Sequence, residues 1–539
     1  PAEGEIAPAQ TNPAISARQP VLLSGTVDER VPDGCVSCVP DSRFLMPDSW
    51  NPVMAFCGKY RQRIRMRRPS DERAPRRPSG SLAASGRMRV KSKANHLVET
   101  AVLTAEQNET LTRTGPGTPM GDVFRQYWQP AVLSRELEPD GAPKRIRILG
   151  EDFIAFRDSD GRVGVVEPRC SHRGAELFFG RNEHCGLRCA YHGWKFDTEG
   201  NCVDVPTAPP AVAENIRPKA AIRALTVREW GDCIWVWFGE GEPPGLPEMG
   251  FAMVPPSHRF VSKKLQQCNW AQAVEGGIDT AHFSYLHAGM KDGEKVGLHE
   301  VMGMAVKPGE NEPANIASFR WMVEDGAPRF TVQEHRAGFV IGAARHADND
   351  QAYWRMTQFL MPNHSYAPGN FPGFNQLANS WVPIDDESCW IYCYAWNPDR
   401  EITDRERERF AAGSGLFAEV DENYVPIRRR ENDYLIDRDS QRSDSYTGIA
   451  GISEQDQAIA DSQGVIADRS RELLGQTDLA IVRFRQLVLG AAEQLPNGDL
   501  PRGVEHPEAY DVSSGDTVAA PDAALPEVLA ERFGEKWGV

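Results

Sequence analysis

Cys170-Ser-His172 and Cys189-Ala-Tyr-His192 put four metal-binding side chains into two glycine-containing loops with sixteen residues between them. The order Cys, His, Cys, His gives each loop one thiolate and one imidazole. That split suits a [2Fe–2S] cluster in which both cysteines bind one iron and both histidines the other. Zinc is the competing metal, but zinc modules more often pair Cys with Cys in one knuckle and His with His in another, beside a short helix. His184 and Cys185 fall outside the pattern and read as loop residues.

A second grouping runs Asn269-Trp-Ala-Gln-Ala-Val-Glu275-Gly-Gly-Ile-Asp279-Thr-Ala-His282-Phe-Ser-Tyr-Leu-His287. Asp279 and His282 are three apart and share a face if helical, where a carboxylate holds the far ring nitrogen of a metal-bound histidine. His287 is five further on, about 140° around an ideal helix. The helix must therefore bend, bulge or end between them if both histidines bind one ion. Asn269 reads either as an N-cap or as a hydrogen-bonding residue near the metal. Two histidines and one carboxylate leave positions open on iron(II) where O₂ and a substrate can meet. The carboxylate must come from elsewhere, and Asp456 and Asp461 in Ser453-Glu-Gln-Asp456-Gln-Ala-Ile-Ala-Asp461 are the candidates.

The elements that hold these groups follow from short-range pattern. Runs at 145–149, 153–156, 163–166 and 233–238, with an Asp158-Ser-Asp-Gly161 turn, predict a small antiparallel β domain. Gly241-Glu-Pro-Pro-Gly245 marks its end. Strand-like runs at 353–361 and 389–396, and a helix repeating Ile481, Phe484, Val488 and Ala491, predict an α+β second domain. The expected organisation is an extension at 1–95, a helical segment plus β domain at 96–245, the second domain at 246–495, and a tail at 496–539 that wraps the surface. The extension carries eleven prolines and no periodicity, and is expected to be disordered or artefactual, and dispensable. Its net charge is +7, within a chain of −16, which leaves −23 on the rest. An acidic body argues against nucleic acid as partner. No apolar run approaches the 18 or so residues of a membrane span, and eleven scattered cysteines are not a disulfide framework. A cytoplasmic protein is expected. Gly115, Gly117 and Gly121 are interrupted by Pro116 and Pro119 and lie in no βαβ unit, so no nucleotide site is expected there.

Cys170-Ser-His-Arg-Gly-Ala and Cys189-Ala-Tyr-His-Gly-Trp-Lys-Phe-Asp197 resemble the two cluster-binding loops of Rieske proteins. The second grouping, with a distant Gln455-Asp456, resembles the mononuclear iron site of Rieske non-heme iron oxygenases. Thr114-Gly-Pro-Gly-Thr-Pro-Met-Gly121, Tyr127-Trp-Gln-Pro, Asn432-Asp-Tyr-Leu-Ile-Asp-Arg438 and Tyr446-Thr-Gly-Ile narrow the likeness to oxygenase subunits of the phthalate 4,5-dioxygenase group. The resemblance implies a Rieske domain followed by a helix-grip-like catalytic domain. It implies cluster ligands Cys170, His172, Cys189 and His192, iron ligands His282, His287 and Asp456, and Asp279 as a bridge to His192 of a neighbouring subunit. It further implies homotrimers or stacked trimers, and NADH used only indirectly, through a separate flavin and ferredoxin-type reductase. The expected chemistry is cis-dihydroxylation of an aromatic carboxylate, with mono-oxygenation by demethylation or ether cleavage as the alternative and a pure electron carrier as a distant one. A substrate carboxylate calls for guanidinium partners. Arg320 and Arg345, in strand-like runs, are the candidates.

Overall fold

The computed structural model describes residues 102–239, 241–301, 312–368 and 373–538. The expectation for the extension at 1–95 lies outside the described residues. Two short helices, Ala105–Thr112 and Pro119–Phe124, come first. Thr104 and Gln107 form a capping box on the first, and Thr118 Oγ1 accepts from Gly121 N on the second. Gly121 serves close packing, since a Cβ on it would stand 2.3 Å from the Gly115 carbonyl oxygen, whereas a Cβ on Gly115 or Gly117 would meet open space.

The first domain is antiparallel β, as expected. Gln129–Leu133, Cys233–Trp237 and Thr226–Trp230 form one sheet; Lys144–Ile148, Glu151–Arg157 and Val163–Val166 form a second. A third, of four very short strands from Arg181–Asn182 to Cys202–Asp204, carries the second Cys/His loop. Its core gathers Leu177, Leu187, Phe196 and Val205 around Cys170 and Cys189.

The second domain is built on one antiparallel sheet. Its order is Arg259–Gln266, Cys389–Trp396, Gln376–Pro383, His364–Ala367, Gln351–Leu360, Gly338–Ala347 and Arg329–His335. Alternation along the strands separates two faces. Phe339, Ile341 and Phe359 share the inner core with Trp270 and Phe484, the latter on the helix Leu479–Gln494. The Phe484 ring lies 5.1 Å from Phe359 and 5.8 Å from Trp270. Val340, Ala344, Trp354 and Met356 face the other way, onto Leu525, Val528 and Leu529 of the C-terminal helix Leu525–Phe533.

The tail at 496–539 does more than wrap the surface. His364–Ala367 pairs only with 358–360 of its neighbour, leaving the edge of 352–356 open, and Gly515–Ala519 fills that gap as an eighth strand. A five-residue strand reading Gly-Asp-Thr-Val-Ala has too little alternation to announce itself. No helix among the described residues is long and apolar enough to cross a membrane.

The two domains are tied by a buried ion pair. Glu136, just after the strand Gln129–Leu133, accepts from Lys263 of the second domain's sheet at 2.5 Å and also from Lys144. Both Glu136 and Lys263 side chains are 3% exposed, and the Lys263 ammonium sits 4.6 Å from the Trp390 ring centre and 5.1 Å from that of Tyr424. Burial alone would raise the Glu136 carboxyl; the lysines overcome it and hold it low. Lys263→Met leaves the buried carboxylate with Lys144 as its one remaining cation and is expected to destabilise the protein by about 3 kcal/mol. Glu136→Leu with Lys263→Met should recover most of that loss. Equal thermal unfolding midpoints for the single and paired replacements would show that the pair is no tether.

Candidate metal centres and active site

The two cluster loops are built alike. Cys170 N donates to Ala175 O at 2.9 Å and Gly174 N to Cys170 O at 2.8 Å; Cys189 N donates to Trp194 O and Gly193 N to Cys189 O at 2.8 and 3.0 Å. Each loop turns on the glycine four residues after its cysteine, at φ +72° and +77°, where a side chain would be strained. Both cysteines are buried. The His172 ring stacks on Trp194 at 4.4 Å, and the two histidine rings lie 4.6 Å apart. His192 Nδ1 is buried with no hydrogen-bond partner among the described residues. Burial, opposed by the His172 backbone and aided by the neighbouring Cys189, pushes the Cys170 thiol up to about 11. Two buried sulfurs beside an orphaned imidazole nitrogen fit a bound cationic centre. None of the eight cysteines among the described residues forms a disulfide. His184 and Cys185 sit at positive φ in the turn between Arg181–Asn182 and Leu187–Arg188, away from the ligand loops.

The second centre is made by a helix that stops. Trp270–Ile278 is helical and Asp279 is its C-cap, in extended conformation. Asp279 and His282 therefore do not share a helix face; the chain turns, with Asp279 Oδ1 accepting from Ala281 N at 2.7 Å, and His282 opens a single 3₁₀ turn, His282–Ser284. This exit removes the rotation that an unbroken helix would impose on His287. Asp279 Oδ2 stands 3.4 Å from His282 Nδ1. His287 Nδ1 faces Gln455 Oε1 at 2.7 Å, and Gln455 Nε2 donates to Ile449 O at 2.8 Å. Because the carbonyl of Ile449 can only accept, the amide of Gln455 presents its oxygen to His287, and the proton of His287 belongs on Nδ1. Both Nε2 atoms are then bare lone pairs. They lie 3.1 Å apart, with Asp456 Oδ1 at 3.1 Å from His287 and 3.5 Å from His282. Ligands about 2.1 Å from one ion stand roughly 3.0 Å apart at right angles, so the three atoms are spaced as they would need to be to hold a single cation between them. Two histidines and a carboxylate on one face are the donor set of non-heme iron(II).

Other sequence candidates divide. Asp461 is spent on Gln266 Nε2 at 2.6 Å and on the Tyr434 hydroxyl. Asn269 is the N-cap at the opposite end of the helix from Asp279: Oδ1 accepts from Ala271 N, and Nδ2 donates to Thr112 O and Asp386 O. Its amide is used up, which removes it from the metal site. Glu275 is clasped by Arg469 and Arg485 at 2.9 and 2.7 Å and anchors the helix. Asp279, His282 and Asp456 line an outward cleft of about 200 Å³ with Leu286, Ile459 and Ile481.

Arg320 lies on the helix Ala314–Glu324, not on a strand, and its guanidinium is shared among Glu312, Glu324 and Asp348. It has no reach left for a substrate. Arg345 is on the strand Gly338–Ala347 and 1% exposed. One nitrogen donates to the carbonyl of Thr280, in the metal loop, at 2.6 Å; Nε and Nη1 have no partner among the described residues. Burial lowers it to about 10, so it stays charged at neutral pH. Arg355, which the sequence analysis missed, occupies the same face of the next strand, where Ala343 pairs with Arg355 and Arg345 with Tyr353. Its guanidinium lies 4.5 Å over the ring of Phe283, itself 4.5 Å from the His287 ring. Its Nε is likewise unpartnered among the described residues, and Asp516 of the tail strand is 3.8 Å from Nη1.

Residues 127–223 match the Rieske [2Fe-2S] domain family, and 236–520 match the family described as LigXa C-terminal domain like. The chain is 37% identical to the 3-chlorobenzoate-3,4-dioxygenase oxygenase subunit of Comamonas testosteroni, over 75% of this chain and 92% of that one. It is 38% identical to the phthalate 4,5-dioxygenase oxygenase subunit of Pseudomonas putida, over 74% and 88%. Similarity extends at 27% to the 5,5'-dehydrodivanillate O-demethylase oxygenase subunit of a Sphingobium species, over 80% and 90%. With cluster loops in the first domain and the two-histidine, one-carboxylate face in the second, the chain belongs to the Rieske non-heme iron oxygenases, among the oxygenase subunits of the phthalate 4,5-dioxygenase group.

Proposed function

We propose that this oxygenase subunit works in the cytoplasm on an aromatic carboxylate, by cis-dihydroxylation of the ring, with electrons from a separate flavin and ferredoxin-type reductase. The observation that carries the substrate class is the buried pair Arg345 and Arg355, with three guanidinium nitrogens lacking partners among the described residues beside the metal loop. Buried N–H groups without acceptors are costly, and a substrate carboxylate supplies the acceptors. The relatives named for 3-chlorobenzoate and phthalate support the same class. The O-demethylase relative favours a second reading, mono-oxygenation of an aryl ether.

When bound, the cluster at Cys170, His172, Cys189 and His192 supplies electrons one at a time, and iron(II) at His282, His287 and Asp456 activates O₂. The chain's own part is placement. Gln455 and Asp279 each hold an Nδ1 proton, so both imidazoles turn Nε2 inward. The arginines fix the acid group and Phe283 bounds the ring's approach. Among the described residues no hydrogen bond joins His192 to Asp279 within one chain, while Asp279 borders the outward cleft. Asp279 is therefore assigned as a positioning residue that accepts from His282 and from His192 of a neighbouring subunit, in a homotrimer or stacked trimers.

Purified protein is expected to hold about three irons per chain. Single turnovers after reduction, offered phthalate, benzoate, phenoxybenzoate and methoxybenzoate, should give a dihydrodiol. Stoichiometric zinc without a Rieske spectrum would sink the metal assignment; formaldehyde from methoxybenzoate as the only product would move the reading to demethylation.

Removing the charge of one arginine should cost binding in proportion to the substrate's charge. For Arg355→Gln, kcat/KM for a carboxylate substrate should drop by about 10 to 100-fold, and far less for its methyl ester. Equal losses on acid and ester would mean that Arg355 supports the fold rather than the substrate.

Asp279→Asn leaves all seven assigned ligands in place but cannot offer the same charge to two imidazole N–H groups. Oxidation of the reduced cluster in a single turnover should slow by about 10 to 100-fold or more, with iron content unchanged. A wild-type rate would make Asp279 an ordinary helix cap.

A further inference from the structure

A Rieske cluster has two jobs, receiving an electron and passing it on, and two different surfaces adjoin it here. The tip of the cluster loops, with His192 and the 57% exposed Tyr191, is assigned above to the neighbouring subunit's Asp279. At the base of the first loop lies a different surface. Arg169 bridges to Glu176, and Leu177 N donates to Pro168 O, so Leu177–Phe179 runs back beside the strand that leads into Cys170. Phe179 is 65% exposed. Phe178 beneath it packs on the core that holds Cys170 and Cys189. The Arg145 guanidinium lies 3.5 Å from the Phe178 ring centre and 5.3 Å from that of Phe179, steered by Glu176 at 2.6 and 2.9 Å. Arg181, 77% exposed, leans on Glu183 at 2.7 Å, and Arg169 is exposed.

We propose that this face, Phe179 beside Arg145, with Arg169 paired to neighbouring Glu176 and Arg181 two residues on, docks the electron donor: the [2Fe–2S] domain of the reductase, in which four thiolates hold the cluster. The inference rests on the Rieske assignment. An exposed aromatic held in place by arginine is the residue combination that anchors interfaces. Charge selects the occupant. A cluster ligated by four thiolates is anionic in both oxidation states, and the residues after 95 carry −23, so most of this molecule repels such a donor. Here three arginines face two carboxylates. Phe178 links the face to the core around both cluster cysteines. One electron leaves the reduced donor and is taken up by the cluster; no bond breaks and no other reactant enters.

The test uses the iron-loaded full chain and a prereduced plant-type [2Fe–2S] ferredoxin as donor, following bleaching of the Rieske spectrum by stopped flow. Reduction of the unmodified protein should slow as salt rises. In R145E/R181E the rate at low salt should fall about tenfold and lose that salt dependence. Phe179→Ser should slow reduction at every salt concentration, while dithionite, too small to need docking, should reduce all variants alike. Equal ferredoxin rates in wild type and variants would overturn the proposal. So would a changed oligomeric state in Phe179→Ser by sedimentation, since the face would then join copies of this chain. Absence of a Rieske spectrum in the wild type would instead remove the cluster assignment itself, which keeps the two failures apart.

Discussion

His282 Nε2, His287 Nε2 and Asp456 Oδ1 crowd within 3.5 Å as three lone-pair donors, and such a group repels itself unless a cation lies among them. Much of the second domain can be understood as the apparatus that enforces this proximity. Asp279 and Gln455 remove the alternative in which one ring donates a proton to the other. The helix Ile452–Ser462 carries Gln455 and Asp456 on successive residues, so one element both ligates and orients. Lys264, buried behind that helix, donates to the Ser453 carbonyl and hydroxyl and fixes its first turn. Glu275 between Arg469 and Arg485 locks the other helix against rotation. A buried carboxylate with two guanidinium partners is costly to break, which suits an element whose end must stay still while the chain beyond it makes sharp turns.

How far the sequence reveals this depends on the range over which each signal acts. The cluster loops are legible because ligands, turn glycines and flanking strands lie within a few residues, and the structure shows the same hydrogen-bonded turn twice. The spacing of His282 and His287 implies a break, since no straight helix serves both, but puts it between them; the structure ends the helix earlier, at Ile278. Asn269 and Arg320 show where type and spacing mislead. An asparagine before a helix is ambiguous until the carbonyls of Thr112 and Asp386, far away in sequence, are seen to claim its amide. Arg320 sits in a run whose apolar residues fit a strand as well as a helix until Pro313 is recognised as the residue that starts the helix.

Gln455, Arg355 and Asp516 have no local signal. An arginine in an alternating strand and an aspartate in a polar tail acquire meaning only through sheet register, and a glutamine beside a ligand only through the packing of its helix against His287. Arg355 is aligned with Ala343 on one side and Asp516 on the other, and that register places it over Phe283.

The tail strand thereby joins the electrostatics of the active site to the completeness of the fold. Arg345 and Arg355 place two guanidiniums in a region where burial disfavours charge, and Asp516 is fully buried beside them, hydrogen-bonded to Tyr353 at 3.0 Å with its other oxygen unpartnered among the described residues. Burial pushes the Asp516 carboxyl up and the arginines draw it back, leaving it above its ordinary value. The carboxylate is therefore a weak counter-ion, and the guanidiniums keep N–H groups to offer. A stronger internal acceptor would satisfy the arginines and compete with any bound acid. The acidic body gives no long-range attraction for an anion, so selection has to occur at contact, inside the sheet, by donors that the fold leaves unsatisfied.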